Sequence, residues 1–466
     1  MTRVHAYGDD ALGDLDAVGL VERLRAGEVS IPEVVEAAIA RTEQVAGDLG
    51  AVAHADFARA RRTARDPHGG YFAGVPTYLK DNVDVAGWPT MSGTDAWAPR
   101  AAKKDGDLAR MYLATGLIPL GKTRLSEYGF SPSCEHPRLG PVRSPWDTAR
   151  TAGASSAGSA ALVAAGAVPI AHGNDGGGSI RIPASINGLV GLKPTRGRLA
   201  QDAVIRQQPI AIVADGVLTR SVRDTAAFLR EAEQVFRPLQ MPPIGDLTRP
   251  GRKRLRIALN TTGVERGADA EVTALTEEVA RLLEDLGHTV VEAEAPVPAT
   301  FREDFLLYWA SLALALLSGG RRLHGRSWVR AHHDNLTEGL ASHAKRHLHR
   351  LPGAMIRLRR STREAALFFE RYDVALTPTL AHPTPAIGYL DPTQDYAAIV
   401  EKLYDWVAFT PLYNVTGTPA VSLPLATASN GLPQGMMFGA GWGREAVLLE
   451  LGYELEQARP WARIQD

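Results

Sequence analysis

The chain has 466 residues; hydrophobic side chains make up 45% and charged ones 22%, and Lys+Arg 51 against Asp+Glu 52 leave a formal net charge of -1. Such a chain can bury a sizeable core, and its charge balance excludes the long-range positive field that whole-chain binding of nucleic acid or anionic lipid requires. The single cysteine, Cys134, excludes an intramolecular disulfide and a cysteine-rich metal site.

Residues 1–16 carry acids and no apolar segment, so no signal peptide is expected there. The most apolar run, residues 308–317, is too short to span a bilayer. A soluble, cytoplasmic protein is the expectation. Helices are expected over the first eighty residues, where Ser30 and Glu33 have capping-box spacing and Val34, Val35, Ala38 and Ile39 recur at helical period. From about residue 74 to 198, glycine, alanine, serine and short Val/Ile/Leu runs dominate. That pattern predicts buried strands alternating with tightly packed helices, an α/β sheet covered on both faces. Within it, residues 107–114 read as a helix, 117–120 as a strand, and the alanine-rich run after Ser159 as a helix. The proline-rich segment 237–250 reads as a connector. It is followed by a strand from Arg254, an amphipathic helix over 269–286 stopped by Gly287, and a strand over 289–291. Residues 320–363 form a basic, histidine-rich helical stretch, and 420–425 return to a strand pattern.

Three motif matches lack their chemical context. Residues 116–123 fit G-x-x-x-x-G-K-[ST], but the middle residues Leu117, Ile118, Pro119 and Leu120 read as a strand and a helix precedes them, the reverse of a phosphate-binding loop. Ser342 and Lys345 fit S-x-x-K without the partner motifs of the penicillin-recognising enzymes, so a solvated helix face is expected. His343 and His347 have the spacing of a metal pair, with His332, His333 and His349 nearby. No third ligand can be singled out, so exposed histidines on a basic helix are expected, and no metal.

Three other segments carry chemistry together. Lys80 follows an apolar run and would start inside the fold, where lost solvation lowers its pKa; serving as a base at neutral pH needs a drop of about three units, ~4 kcal/mol. The bland alternative is a lysine whose stem snorkels to the surface. Thr151-Ala-Gly-Ala-Ser155-Ser156-Ala-Gly-Ser159 supplies serines among small residues that permit close backbone approach, or that merely cap the following helix. His172-Gly-Asn-Asp175-Gly176-Gly177-Gly178-Ser179-Ile-Arg181 supplies consecutive amides able to turn toward an oxyanion, beside a serine. No aspartate–histidine pair is evident near that serine and no G-x-S-x-G elbow occurs, so a serine nucleophile needs another base, for which a buried lysine is chemically available.

These blocks, with Gly191-Leu-Lys-Pro-Thr195, Leu376-Thr-Pro-Thr379 and Phe409-Thr-Pro-Leu-Tyr-Asn414, resemble the amidase signature family of serine hydrolases over about residues 15 to 460. Within that family, His172-Gly-Asn-Asp and Lys193-Pro-Thr-Arg-Gly-Arg198 are most similar to bacterial amidases of the 6-aminohexanoate cyclic dimer hydrolase type. The resemblance implies one large α/β domain, a mixed twisted β-sheet flanked by α-helices. It would divide into N-terminal helices (1–73), a signature core (74–200), a variable substrate-side region (201–380) and a C-terminal completion of the sheet and helices (381–466). It implies Ser179 as nucleophile, Lys80 as terminal base, and Ser155, preceded by a cis peptide, as the proton relay. It further implies that the amides of Gly176, Gly177, Gly178 and Ser179 hold the oxyanion, that Asp175 and Arg181 brace the loop, that Ser156 supports the relay, and that Gly129 lines the acyl pocket.

The chain departs from the commoner family pattern at four places: Ala154 and Ala157 replace glycines, Gly176 stands where Thr or Ile is usual, and Arg124 stands where Asn is usual. Cys134 is also not placed where the cyclic-dimer hydrolases put theirs. The implied activity is hydrolysis of a small-molecule carboxamide through an acyl-enzyme, without metal or organic cofactor, and without nucleic-acid or membrane partners; a homodimer is the family-level expectation. Esterase or carbamate hydrolase activity on the same residues, and an amidotransferase-type subunit needing a partner, are the alternatives.

Overall fold

Ser30 opens the helix Ile31–Leu49 in the computed structural model, which describes residues 2–263 and 266–466. The Ser30 amide donates to Glu33 Oε2 at 2.8 Å and the Glu33 amide to Ser30 Oγ at 3.4 Å, a closed capping box. Val34, Val35, Ala38 and Ile39 are buried on one face of this helix. Helices Ala17–Ala26 and Phe57–Arg65 flank it. The all-helical expectation for the first eighty residues needs correction at two places. Val52–Ala55 is strand β1 and Pro76–Lys80 is strand β2. β1 has four residues, too few to display alternation, and it is placed by pairing antiparallel with a strand nearly seventy positions on.

That partner is β3, Ile118–Thr123, which also pairs parallel with β2 to give a sheet in the order β1-β3-β2. The phosphate-loop match therefore runs along a buried strand, after the helix Asp107–Ala114, as its residues predict. Arg143–Ser144 (β4) and Asp147–Thr151 (β5) form a short antiparallel pair.

The main sheet has eight strands. They are β6 (Ile170–Asp175), β7 (Val190–Lys193), β8 (Ala214–Thr219), β9 (Arg256–Leu259), β10 (Thr289–Glu292), β11 (Val374–Pro378), β12 (Ala420–Thr427) and β13 (Pro433–Ala440). Their order is β10-β9-β11-β13-β12-β7-β8-β6, parallel across β10/β9/β11 and antiparallel beyond. The expected strand–helix–strand unit is present, with Asp269 capping the helix Ala270–Asp285 between β9 and β10. Helices Ala157–Ala164, Val222–Val235 and Glu445–Ala458 pack on the sheet, making a single α/β domain with a mixed sheet flanked by helices. The basic stretch is helical but broken, between Phe301–His324, Asn335–His347 and Leu351–Arg371. Among the described residues no helix is long and apolar enough to cross a membrane.

The small sheet docks on the end of the large one through side chains. Thr77 Oγ1 donates to the Ile170 carbonyl at 2.9 Å, and the Lys80 amide donates to His172 Nδ1 at 3.2 Å. β2 and β6 thus end side by side, which brings Lys80 to the loop after Asp175. At the other end of β7, Arg198 lies fully buried between Glu445 Oε2 at 2.7 Å and Glu233 Oε1 at 3.1 Å. Removing one partner of a buried ion pair leaves the other charge uncompensated, at a cost of about 3–5 kcal/mol. Arg198→Ala is therefore expected to lower the urea midpoint by the equivalent of that amount; an unchanged midpoint would show that the cluster contributes no net stability.

Candidate active site

Lys80 is the last residue of β2 and is wholly buried. Its Nζ donates to Ser155 Oγ at 2.7 Å, to Asn174 Oδ1 at 2.5 Å and to the Asn174 carbonyl at 3.4 Å. All three acceptors are neutral. Burial pulls its pKa down to about 7, and the negative charges of Asp215 and Asp175 oppose that fall. The snorkelling alternative is therefore not what the fold adopts.

Ser155 and Ser156 sit just before the helix Ala157–Ala164, both buried. Ser156 Oγ donates to the Asn174 carbonyl at 3.1 Å and accepts from the Asn174 amide at 3.3 Å, tying the serine segment to β6. The Ser155 amide donates to Ser179 Oγ at 3.3 Å. The peptide bond before Ser155 is trans, as are all described peptide bonds, and this corrects the cis bond that the resemblance implies. Trans is the lower-energy form for a non-proline residue, and the contact with Lys80 is made with it. Gly129 faces this serine: with φ +77, a Cβ there would stand 3.2 Å from Ser155 Oγ.

Asp175 ends β6, and the chain turns through Gly176, Gly177 and Gly178 to Ser179. Gly178 has φ +138, and a Cβ there would lie 2.5 Å from Thr410 Oγ1 and 2.6 Å from Ile182 Cδ1, so only glycine fits. The Gly178 amide donates to Asp175 Oδ1 at 2.7 Å. It is thereby committed to bracing the loop, which narrows the expected anion donors to Gly176, Gly177 and Ser179. Asp175 and Arg181 are both fully buried, with Arg181 Nε and Nη2 donating to the carboxylate at 2.9 and 2.8 Å. Burial alone would raise the Asp175 pKa, but Arg181 and Asn414 outweigh it and hold the carboxyl well below the usual range.

Gly129, Ala154, Gly177 and Ser179 line one end of a cavity of about 100 Å³. Its other walls are Phe130, Phe305, Trp309, Leu336, Leu340 and Leu403. Of the departures from the family pattern, Ala154 lines this cavity and Ala157 is buried in the first turn of the helix. Arg124 lies away from it, donating to the carbonyls of Gly50 and Gly140 at 3.1 and 2.6 Å.

The structure gives contacts to residues that the sequence analysis quoted only inside larger blocks, or not at all. Asn174 holds the Lys80 amine. Thr410 and Asn414 clamp the glycine loop, Thr410 Oγ1 donating to the Gly177 carbonyl at 2.5 Å and Asn414 Nδ2 to Asp175 Oδ1 at 2.9 Å. A buried aspartate–histidine pair lies on the Lys80 side and makes no bond to Ser179: His172 Nε2 lies 3.2 Å from Asp215 Oδ1, while His172 Nδ1 accepts from the Lys80 amide. It stands behind Lys80, and the missed signal was an aspartate 43 positions further on, in β8. Glu127 anchors the turn before Gly129, accepting from Thr94 Oγ1 at 2.7 Å and from the Asp334 amide at 2.9 Å.

The discounted motifs stay apart from the cavity's reactive end. Ser342 and Lys345 are exposed on their helix. His333 is buried, with Nε2 2.8 Å from the Tyr128 hydroxyl, and His343 and His347 are half-buried, so the expectation of exposed histidines needs correction there. Among the described residues no group of three or more His, Cys, Asp or Glu is placed to hold a metal ion.

The profile of the Amidase family matches residues 33–449. "Putative amidase AmiC" of Mycobacterium leprae is 61% identical over 466 residues, covering 100% of this chain and 99% of that protein. The 6-aminohexanoate-cyclic-dimer hydrolase of Pseudomonas sp. strain NK87 is 33% identical over 469 residues, covering 96% of this chain and 95% of its own. A solved structure of 6-aminohexanoate cyclic dimer hydrolase complexed with substrate matches over 98% of both chains, with a TM-score of 0.86 and 31% identity.

The electrostatics of Lys80 can be tested apart from any reaction. In protein carrying ¹³Cε-lysine, the Lys80 resonance is expected to titrate with a midpoint of about 7. Asp215→Asn removes a negative charge that favours the ammonium form, so its midpoint should move lower. A midpoint that stays or rises in the variant would show that the Asp215 charge is not felt at Lys80.

Proposed function

The chain belongs to the amidase family and is an amide-hydrolysing enzyme, and from that premise we propose that it cleaves a carboxamide through an acyl-enzyme on Ser179, with Ser155 and Lys80 as the proton relay. The observation that carries this reading is a wholly buried lysine bonded to Ser155 Oγ, with Ser155 in turn bonded to Ser179 at the mouth of an apolar cavity.

In this reading neutral Lys80 accepts the proton that Ser179 gives up through Ser155 as Oγ attacks the carbonyl. Ser155 Oγ, already held by Lys80, must take over from the Ser155 amide as the group touching Ser179 Oγ when substrate binds. The amides of Gly176, Gly177 and Ser179 face the developing oxyanion, each such donor being worth about 3 kcal/mol. The proton then passes back along the relay to the leaving amine. Water enters by the reverse route, breaks the acyl–oxygen bond and releases the acid. Asp175 and Arg181 act as positioning residues, and Ser156 fixes the Asn174 segment that receives the lysine.

Intact mass after incubation with an ethyl fluorophosphonate tests the assignment. Wild type should gain one phosphonyl adduct and Ser179→Ala none, with kcat on an anilide lowered about 10⁴-fold or more. Ser155→Ala and Lys80→Ala should slow both labelling and turnover by about 10²–10⁴-fold. Labelling that survives Ser179→Ala would move the nucleophile elsewhere. Because only neutral Lys80 accepts a proton, kcat/KM should fall as pH drops through about 7 and level off above it. A profile flat from pH 5 to 9 would remove Lys80 from the role of base. Matching anilide, ester and carbamate substrates then rank the carbonyl classes.

A further inference from the structure

The cavity at Ser179 is apolar along nearly its whole wall, and its two cations are engaged within the protein. Arg266 pairs with Glu401 at 2.6 Å and with Asp405, while Arg302 lies 3.4 Å over the Tyr404 ring and 3.7 Å from Glu401. A charged substituent would have to displace these pairs, whereas an uncharged apolar one meets matching surface. The helix Phe301–His324 presents Phe301, Phe305 and Trp309 one turn apart, their rings stacked at 6.3 and 5.8 Å.

Trp309, the last of the three, is held from three sides. Phe130 meets its ring edge-to-face at 5.4 Å, and its Nε1 donates to the Phe130 carbonyl at 3.4 Å. On the third side is Gly176. A Cβ there would stand 3.2 Å from Trp309 Cη2 and Cζ3, and 3.3 Å from Val213 Cγ2. The Gly176 φ is not in the left-handed region, so what a side chain meets there is crowding rather than backbone strain: the indole or Val213 would have to give by a few tenths of an ångström. A Cβ at Gly177, by contrast, would meet Phe305 Cζ at an ordinary 3.5 Å. The missing side chain at Gly176 and the indole are thus two halves of one fit: the glycine lets the ring close over the loop that carries the nucleophile.

We propose that Trp309 is the specificity-determining residue, admitting uncharged amides whose apolar substituent on the scissile carbonyl slides beneath the indole and excluding bulkier ones. The proposal rests on Ser179 being the nucleophile. Its test uses two fluorophosphonates, one ethyl and one biphenylmethyl, and reads the labelling rate constant by intact mass in wild type, Trp309→Phe and Trp309→Ala, with thermal midpoints measured alongside. The biphenylmethyl-to-ethyl ratio should rise about tenfold or more in Trp309→Ala, with Trp309→Phe between. In a second arm, Gly176→Ala pushes the indole into the cavity and should lower that ratio several-fold, Gly177→Ala should change it less than twofold, and the Gly176→Ala effect should disappear when Trp309 is also alanine. A ratio unchanged in folded Trp309→Ala, or a Gly176→Ala effect that persists without the indole, overturns the proposal while Ser179 stays labelled. No labelling of wild type, or labelling that survives Ser179→Ala, overturns the nucleophile assignment and this proposal with it.

Discussion

The structure around Ser179 depends on one constraint: an amine is buried without a counter-ion in contact. Three lysines lie wholly inside this fold, and their surroundings differ. Lys122 meets the Asp81 carboxylate at 3.2 Å, the Pro89 carbonyl at 2.6 Å and Thr90 Oγ1 at 2.7 Å, an ordinary arrangement for a buried cation. Lys193 donates to its neighbour's carbonyl, that of Pro194, at 2.8 Å, and is likewise brought down to about 7 by burial. Lys80 alone of the three bonds two neutral side chains, the Ser155 hydroxyl and the Asn174 amide oxygen, with no carboxylate in contact. Asp175, the carboxylate closest in sequence to its acceptor Asn174, is engaged by Arg181, and Asp215 lies 3.2 Å from His172, so both charges act on the amine without touching it. The charges that would keep the amine protonated are present but held one residue away.

The same economy explains the frame around the glycine loop. Four consecutive residues without a stabilising secondary structure would cost conformational entropy and leave buried amides and carbonyls without partners. Asp175 takes the amides of Gly178 and Ile180, Thr410 takes the Gly177 carbonyl, and Arg181 spans from Asp175 to the Thr410 carbonyl and Asn414 Oδ1. A buried ion pair is weak evidence for stability, but here each charged atom has a geometric task. It fixes the backbone of a loop whose Gly177 and Ser179 line the cavity.

Much of this was legible in the sequence where the determinant is local. Ser30 and Glu33 place a helix start, Asp269 and Gly287 bracket a helix, and the glycine run before Ser179 announces a turn that other residues could not make. Lys80, Ser155 and Ser179 are recognisable because each sits in a compact block. What escaped was everything set by contacts between distant segments. β1 is a strand only because β3 lies beside it. Asp215 reaches Lys80 only through the antiparallel pairing of β6 with β8, which sets His172 opposite Val217 and Asn174 opposite Asp215. Thr410 and Asn414 lie more than 230 positions from the loop they clamp, and no periodicity points from one to the other. The cis bond was implied by the resemblance alone, and the backbone at Ala154 and Ser155 does not adopt it.

The division of labour within the chain follows from where these contacts fall. The groups nearest Ser179 come from strand ends and from the loop after β6, parts anchored on the main sheet. The cavity walls come largely from helices Phe301–His324, Asn335–His347 and Tyr396–Trp406. Such helices can change the side chains they present inward without disturbing the sheet, provided the pocket stays filled or apolar. Gly176 is one point at which the two parts meet in direct van der Waals contact, so a change at Trp309 alters the space offered to a substrate while leaving every hydrogen bond of Asp175, Arg181 and Lys80 in place. A fold arranged in this way keeps one reaction and lets the accepted amide vary.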